Sequence, residues 1–135
     1  MIVFDTEKVL LLQQLVVEET GGIFGVRDMG LLESAVNGIY QTFGGQDLYP
    51  SKEEKGAHLG YSLIKDHAFI DGNKRTGILV MLSFLAINGV KLKYTDEELI
   101  KIGYSLADDK MTYEALLSWV NNHKINTCYL SQEKC

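Results

Sequence analysis

The sequence predicts an all-α fold of about six helices around a central apolar helix, with a short flap loop. Helix start and stop signals recur along the chain, and no stretch resembles a run of alternating strands. The segment from about Asn73 to Ile87 is apolar nearly all round, which is typical of a helix that other helices surround. We expect residues 1–125 to form this domain and residues 126–135 to form a flexible tail.

Cap residues set the predicted helix boundaries. Asp5 or Thr6 can begin the first helix, which Gly21-Gly22 ends, and Asp28 can begin the second. Asn88-Gly89 ends the central helix. The other predicted N-caps are Ser51 with Glu54 and Thr95 with Glu98, each as a capping box, and Thr112.

The stretch from Gln41 to Pro50 is predicted to be a loop, with a short hairpin-like flap as one form of it. Its side chains Phe43, Leu48 and Tyr49 are candidates for docking a target protein. The alternative is a loop whose aromatic rings pack on the core. The sequence favours neither interpretation.

Composition excludes several classes of protein. The net charge is −5 and the pI is about 5.1, which argues against a protein that coats nucleic acid. The longest apolar stretch, Gly77 to Ile87, is 11 residues long and too short to cross a bilayer. The first residues do not resemble a secretory signal. The only cysteines, Cys128 and Cys135, are more typical of reduced thiols than of a disulfide framework. We therefore expect a soluble, cytoplasmic domain.

The start of the central helix carries charges of the unfavourable sign. Lys74 and Arg75 lie in its first turn, where the helix dipole favours anions, at a cost of about 0.3–1 kcal/mol each when exposed. A bound anion would explain this arrangement. Gly72 permits close approach and Asn73 adds a donor, so the segment predicts a phosphate cradle of free backbone N–H groups.

Residues just before the cradle add candidate chemistry. Asp71 is placed to bring Mg²⁺ to phosphate oxygens, and His67 can accept a proton from an incoming hydroxyl. Phe69 is expected to point inward and anchor the loop. Each residue alone has an ordinary interpretation: a histidine near a helix end is usually structural, and Asp71-Gly72 is a common turn. The hypothesis depends on their clustering between His67 and Arg75.

The decapeptide from His67 to Thr76, HAFIDGNKRT, resembles the signature of the Fic/Doc proteins, specifically the Doc (death-on-curing) branch. Residues 21–35 and 43–50 also resemble that branch, and the resemblance covers roughly residues 3 to 122. Two positions depart from the family pattern. Ala68 replaces the proline of many relatives, which should alter loop rigidity more than chemistry. Lys74 replaces the second glycine of AMP-transferring Fic enzymes, which implies a reversed nucleotide and γ-phosphate transfer.

The resemblance implies a toxin that transfers the γ-phosphate of ATP to a hydroxyl of a translation factor such as elongation factor Tu. It also implies Mg²⁺ and, because no Ser/Thr-x-x-x-Glu-Gly/Asn segment is present, a separate Phd-like antitoxin. The roles it implies are a general base at His67, Mg²⁺ binding at Asp71, a phosphate cradle at Gly72 and Asn73, and charge stabilisation by Lys74 and Arg75.

Other interpretations remain open at this point. The same histidine could direct AMP transfer, and a member of the fold could act only by binding a partner. A helical ribonuclease is disfavoured because neither Arg27 nor Arg75 has a histidine four to six residues away. A zinc site from His58, His67 and Asp71 lacks any nearby cysteine. The pair Arg27-Asp28 is interpreted as a helix cap with a surface ion pair, with a role at the site as the alternative.

Overall fold

Six helices and one two-stranded hairpin make up the part of the chain that the computed structural model describes, residues 1–125. The predicted tail, residues 126–135 with Cys128 and Cys135, lies outside the described residues. The all-α fold is confirmed. The elements are α1 (Thr6–Thr20), α2 (Met29–Gly38), β1 (Thr42–Phe43), β2 (Gln46–Asp47), α3 (Lys52–Asp66), α4 (Asn73–Ile87), α5 (Asp96–Ala107) and α6 (Tyr113–Asn122).

Side-chain caps begin five of the six helices found within residues 1–125. In each case the side-chain oxygen of the cap accepts the N–H of a residue three positions later, which satisfies one of the unpaired donors of the first turn. Both predicted capping boxes are present. The exception is α4, whose N-cap is a glycine without a side-chain cap. The capping residues are Asp5, Asp28, Ser51, Thr95 and Thr112.

Helices α3 and α4 pack against each other at glycines. A Cβ atom added to Gly77 of α4 would lie 2.5 Å from Cγ1 of Ile64 and 3.2 Å from the carbonyl oxygen of Gly60. A Cβ atom at Gly60 of α3 would lie 2.9 Å from Cβ of Met81. These glycines therefore allow the two helix backbones to approach more closely than larger residues would permit.

The core forms around α4, as predicted. Its residues Val80, Met81, Phe84 and Leu85 have no solvent exposure, and residues from the other helices and the connecting loops pack around them. Burial is not complete, because Ile87 at the end of the helix is 49% exposed. None of the helices in residues 1–125 is long and apolar enough to cross a membrane.

The predicted flap is a hairpin. Strand β1 pairs antiparallel with β2, and Gly44 and Gly45 at the turn have φ angles of 60° and 81°. Two successive residues with positive φ are the requirement of a type I′ turn, which glycine meets without steric cost. Both strands are exposed on all their residues.

Candidate active site

The loop that joins α3 to α4 is bound to an earlier segment of the chain. The N–H of Arg27 donates to the carbonyl of Ala68 at 2.7 Å, and the N–H of Ile70 donates to the carbonyl of Gly25 at 3.0 Å. An antiparallel bridge between Val26 and Phe69 lies between these bonds. The side chain of Phe69 is 1% exposed, so the predicted inward anchor is confirmed. The motif therefore lies on a fixed loop.

Asn73, the first residue of α4, also braces this loop. Its Oδ1 accepts the N–H of Phe69 at 2.9 Å, and its Nδ2 donates to the carbonyl of Phe69 at 3.0 Å. The side-chain amide thus pairs with both backbone groups of Phe69, as a neighbouring β-strand would. Phosphate binding by Asn73 stays a prediction, and its backbone N–H is the donor that this geometry leaves available.

Gln13 of α1 binds backbone groups of two loops near the motif, and it was not singled out from the sequence. Its side chain has no solvent exposure, and its Nε2 lies 3.2 Å from the carbonyl of Asp71 and 3.3 Å from the carbonyl of Gly25. Its Oε1 accepts the N–H of Gly25 at 3.3 Å. A buried amide that satisfies these main-chain groups fixes two loops relative to each other.

Arg27 binds the carboxyl end of α3. Its Nε donates to the carbonyl of His67 at 2.7 Å and its Nη2 donates to the carbonyl of Asp66 at 2.9 Å. Carbonyls at a helix end lack partners within the helix, and a cation there is also favoured by the dipole. Asp28 caps α2 as predicted, but it forms no ion pair with Arg27. The hydrogen bonds of Arg27 connect it to the backbone of residues 66–67, and a role for Arg27 at the site stays a prediction.

His67 is the C-cap of α3 and has a left-handed backbone, with φ 49° and ψ 51°. Few residues other than glycine adopt this conformation, and histidine does so more readily than most. The side chain is exposed, and its Nδ1 lies 3.2 Å from the carbonyl oxygen of Lys65. Because a carbonyl only accepts, this bond requires a hydrogen on Nδ1, and in the neutral form of the ring the lone pair is then on Nε2.

The start of α4 has free donors. Gly72, its N-cap, has a φ of 74°, and no side chain caps the helix. The N–H groups of Asn73, Lys74 and Arg75 have no acceptor among residues 1–125. Such a group of N–H donors at the positive end of a helix is an anion-binding arrangement.

Asp71 lies beside these donors with a fixed orientation. Its Oδ2 accepts the N–H of Ile23 at 2.9 Å, and its Oδ1 has no hydrogen-bond partner in the described part of the chain. No group of three or more His, Cys, Asp or Glu side chains among residues 1–125 is arranged to hold a metal ion. A single carboxylate with one open oxygen is what Mg²⁺ commonly uses when phosphates and water supply its other ligands.

Lys74 and Arg75 differ in their surroundings. The Nζ of Lys74 lies 5.0 Å from the ring centroid of Tyr104 on α5, a cation–π distance. The stem of Lys74 runs beside Gly103, where an added Cβ would lie 3.5 Å from Cβ of Lys74. The side chain of Arg75 is exposed and forms no ion pair within residues 1–125. Both cations stay candidates for phosphate contact, and α5 holds one of them.

The hairpin is anchored at the other end of α3. The Nζ of buried Lys55 contacts Oδ2 of Asp47 at 3.3 Å and also donates to the carbonyl of Tyr49. Lys55 is twelve residues before His67, which corresponds to roughly 18 Å along a helix. The base of the flap and His67 therefore lie at opposite ends of α3.

The three predicted docking residues have different environments. Phe43 is 81% exposed and Leu48 is 47% exposed, so both can reach a partner. The ring of Tyr49 instead packs against His58 at a centroid distance of 4.1 Å and against Tyr113 at 5.7 Å. Packing on the core is therefore the observed state of Tyr49, and docking by the flap stays a prediction.

Acidification should weaken the packing around His58. Burial lowers the pKa of His58 from its usual value of 6.5, against a smaller opposing effect of Asp66. The unfolded chain then binds this proton more readily than the folded one, so stability is lost as pH falls below about 6.5 towards the lower folded pKa. The His58→Phe variant keeps a ring but cannot titrate.

Urea unfolding measured at pH 7.5 and 5.5 tests this expectation. The free energy of unfolding should fall more steeply with acid in the wild type than in His58→Phe. Equal falls in both proteins would show that His58 does not contribute to the acid sensitivity.

Comparison with known proteins decides the family. The sequence matches the model of the Fic/DOC family over residues 3–85, which is more than half of the chain. This chain belongs to the Fic/DOC family. The region that matches the Fic/DOC family contains α1, α2, the hairpin, α3 and the motif loop. The resemblance inferred from the residues 67–76 is thereby confirmed.

A curated relative supports the branch within the Fic/DOC family. Toxin Doc of Mycolicibacterium smegmatis (strain ATCC 700084 / mc(2)155) is 49% identical over 72 residues, which are 53% of this chain and 55% of that protein. The chain thus spans about half the length of this relative. The similarity agrees with the resemblance to the Doc branch.

Proposed function

We propose that this chain is a Doc-like toxin that transfers the γ-phosphate of ATP to a hydroxyl of a protein target. The observation that carries the proposal is the uncapped start of α4. Five helices within residues 1–125 have side-chain caps, whereas α4 leaves three N–H groups open beside Lys74 and Arg75. A triphosphate supplies the anion that this helix end lacks.

His67 acts as the general base. Its Nδ1–H donates to the carbonyl of Lys65, so the lone pair of Nε2 is available to the solvent side. Nε2 takes the proton of the target hydroxyl while the hydroxyl oxygen forms a bond to the γ-phosphorus. The bond from the γ-phosphorus to the bridging oxygen breaks, and ADP leaves. The phosphate stays on the target.

The remaining motif residues position the nucleotide and stabilise charge. The free N–H groups of α4 and the guanidinium of Arg75 would stabilise the charge that spreads over the transferring group. Mg²⁺ bound with ATP would neutralise phosphate charge, and the open Oδ1 of Asp71 is the ligand this chain offers it. Phosphoryl transfer depends mainly on such positioning and charge stabilisation.

Lys74 supports phosphate transfer over AMP transfer. AMP-transferring relatives are expected to carry a glycine here, whose small size leaves room for phosphates at the helix tip. In this chain a lysine occupies the position, with its stem beside Gly103 and its ammonium near Tyr104. Lys74 thus adds a positively charged residue to the first turn of α4, which a glycine would not supply.

The similarity to Toxin Doc supports a toxin role and, with it, a partner antitoxin. We propose a translation factor such as elongation factor Tu as the target and a separate Phd-like protein as the antitoxin. The exposed Phe43 and Leu48 of the hairpin are the residues proposed to contact the target. A cytoplasmic location is proposed with these partners.

Mass spectrometry of a bacterial lysate incubated with the purified chain and Mg-ATP tests the reaction. We expect a phosphate adduct on a translation factor, and its formation should fall by about 10²-fold in Lys74→Gly, since a charge-stabilising group is lost. A heavier AMP adduct in the wild type would replace the kinase assignment with AMP transfer. ATP binding without any adduct would instead indicate a non-catalytic binding protein.

A further inference from the structure

We infer that Arg27 is a positioning residue that sets the orientation of the His67 imidazole. The inference rests on the proposed function, because it assigns to Arg27 the task of presenting the general base. Arg27 does not belong to the motif and precedes His67 by 40 residues.

Arg27 binds three consecutive carbonyls at the end of α3. Its guanidinium donates to the carbonyls of Asp66, at 2.9 Å, and His67, at 2.7 Å. Its own backbone N–H donates to the carbonyl of Ala68 at 2.7 Å. One residue thus fixes the peptide planes on both sides of the His67 α-carbon. The planar arrangement of the guanidinium donors holds two acceptors at once, which an ammonium cannot do in the same way.

The conformation that Arg27 holds is one that His67 would not keep unaided. His67 and Asp109 are the residues other than glycine with positive φ among residues 1–125. A left-handed residue with a side chain persists only where its surroundings impose it. At His67, hydrogen bonds to the carbonyls on either side of its α-carbon impose the conformation. The side chain of Arg27 donates the bonds to the carbonyls of Asp66 and His67.

This backbone conformation also determines the state of the imidazole ring. The Nδ1 of His67 reaches the carbonyl of Lys65, two residues earlier, at 3.2 Å. That contact folds the side chain back over the last turn of α3, and it depends on the left-handed φ and ψ of His67. If the backbone relaxes, the Nδ1–H bond is lost and Nε2 no longer keeps a defined direction. Arg27 therefore acts on the base through the main chain.

The test compares Arg27→Gln with the wild type and with Thr112→Ala. Thr112 caps α6, and neither its side-chain nor its backbone hydrogen bonds involve His67 or Arg27, so its loss lowers stability without removing a contact of His67. The ¹⁵N NMR signals of the three histidines report which ring nitrogen carries the hydrogen, and a His67→Asn sample identifies the His67 signals. We expect Arg27→Gln to change the His67 tautomer signals, and Thr112→Ala to leave them unchanged.

Kinetics provide the second measurement. Misplacement of a catalytic group by about 1 Å costs about 10²-fold, so kcat should fall by roughly that factor in Arg27→Gln. The KM for ATP should stay within about twofold, because the cradle on α4 is unchanged. Unchanged tautomer signals and kcat would overturn the inference. The NMR measurement needs no turnover. If the wild type transfers no phosphate but Arg27→Gln still changes the His67 signals, the proposed function is contradicted and the role of Arg27 is not.

The Arg27→Lys variant covers the case in which Arg27→Gln does not fold. It keeps a positive charge at the end of α3, which preserves the favourable dipole interaction, but it lacks the paired donors. The His67 signals should change in this variant as well. Wild-type signals in Arg27→Lys would show that charge alone is enough, and the inference would be wrong.

Discussion

The His67→Asn variant is expected to lose between about 10² and 10⁴ of the rate of phosphate transfer, the usual contribution of general base catalysis. Asparagine tolerates a left-handed backbone, so the variant should keep the φ of 49° observed at His67. It has no basic lone pair at neutral pH. The side chain is exposed, so little core packing is lost. The rate loss should therefore reflect chemistry and not unfolding.

Radioactive phosphate transfer measures the rate, and calorimetry measures ATP binding. ATP affinity should stay within a few-fold of the wild type, because the uncapped start of α4 does not involve the imidazole. His123→Asn is the matched control, since His123 lies at the end of α6 and bonds to Glu98. A His67→Asn protein that transfers phosphate, or inhibits growth, as well as the wild type would show that the base lies elsewhere.

The helix boundaries could be predicted because their causes are local. Ser51 and Glu54 satisfy each other's backbone groups within one turn, and so do Thr95 and Glu98. Such reciprocal bonds depend only on residues three positions apart and can be recognised without knowledge of the fold. The same holds for the turn at residues 44–45, where two glycines meet the positive φ of the hairpin.

The supports of the motif loop could not be predicted in the same way. The side chain of Arg27 donates to the carbonyl of His67, 40 positions later in the chain. The side chain of Gln13 donates to the carbonyl of Asp71, 58 positions later. These bonds exist only once α1, α2 and α3 have packed. Gln13 did carry a signal, since it is the polar member of the buried stripe of α1, and a buried polar residue usually has a specific partner.

The candidate site also combines features that the local sequence predicts with features that arise only from tertiary packing. The unusual charges of Lys74 and Arg75 at a helix start were visible in the sequence, and the structure adds that no cap competes for the free N–H groups. The contact of Lys74 with Tyr104 was not visible, because no local pattern links α4 to α5. Local rules thus predicted which residues form the candidate site, and tertiary packing determines where each of these residues is held.

The Gly77→Val variant is expected to lose about 3 kcal/mol or more of its free energy of unfolding. Overpacking of a dense core by extra carbon atoms costs about 1–3 kcal/mol and sometimes more. Here the first added carbon would already lie 2.5 Å from Cγ1 of Ile64 and 3.2 Å from the backbone oxygen of Gly60, where the chain cannot easily move. The gain in helix propensity over glycine, at most about 1 kcal/mol, does not offset this.

Urea unfolding followed by circular dichroism measures the loss, with Gly38→Ala as the control. Gly38 also lies in a helix, but an added Cβ there meets no atom within 4 Å, so the control should be unchanged or slightly more stable. An equal midpoint in Gly77→Val and the wild type would mean that α3 and α4 can separate freely.

Separation of α3 from α4 should also reduce phosphate transfer at urea concentrations below the unfolding midpoint, because His67 is the C-cap of α3 and α4 begins with the free N–H groups. The proposed reaction is therefore expected to require close packing of the two helices.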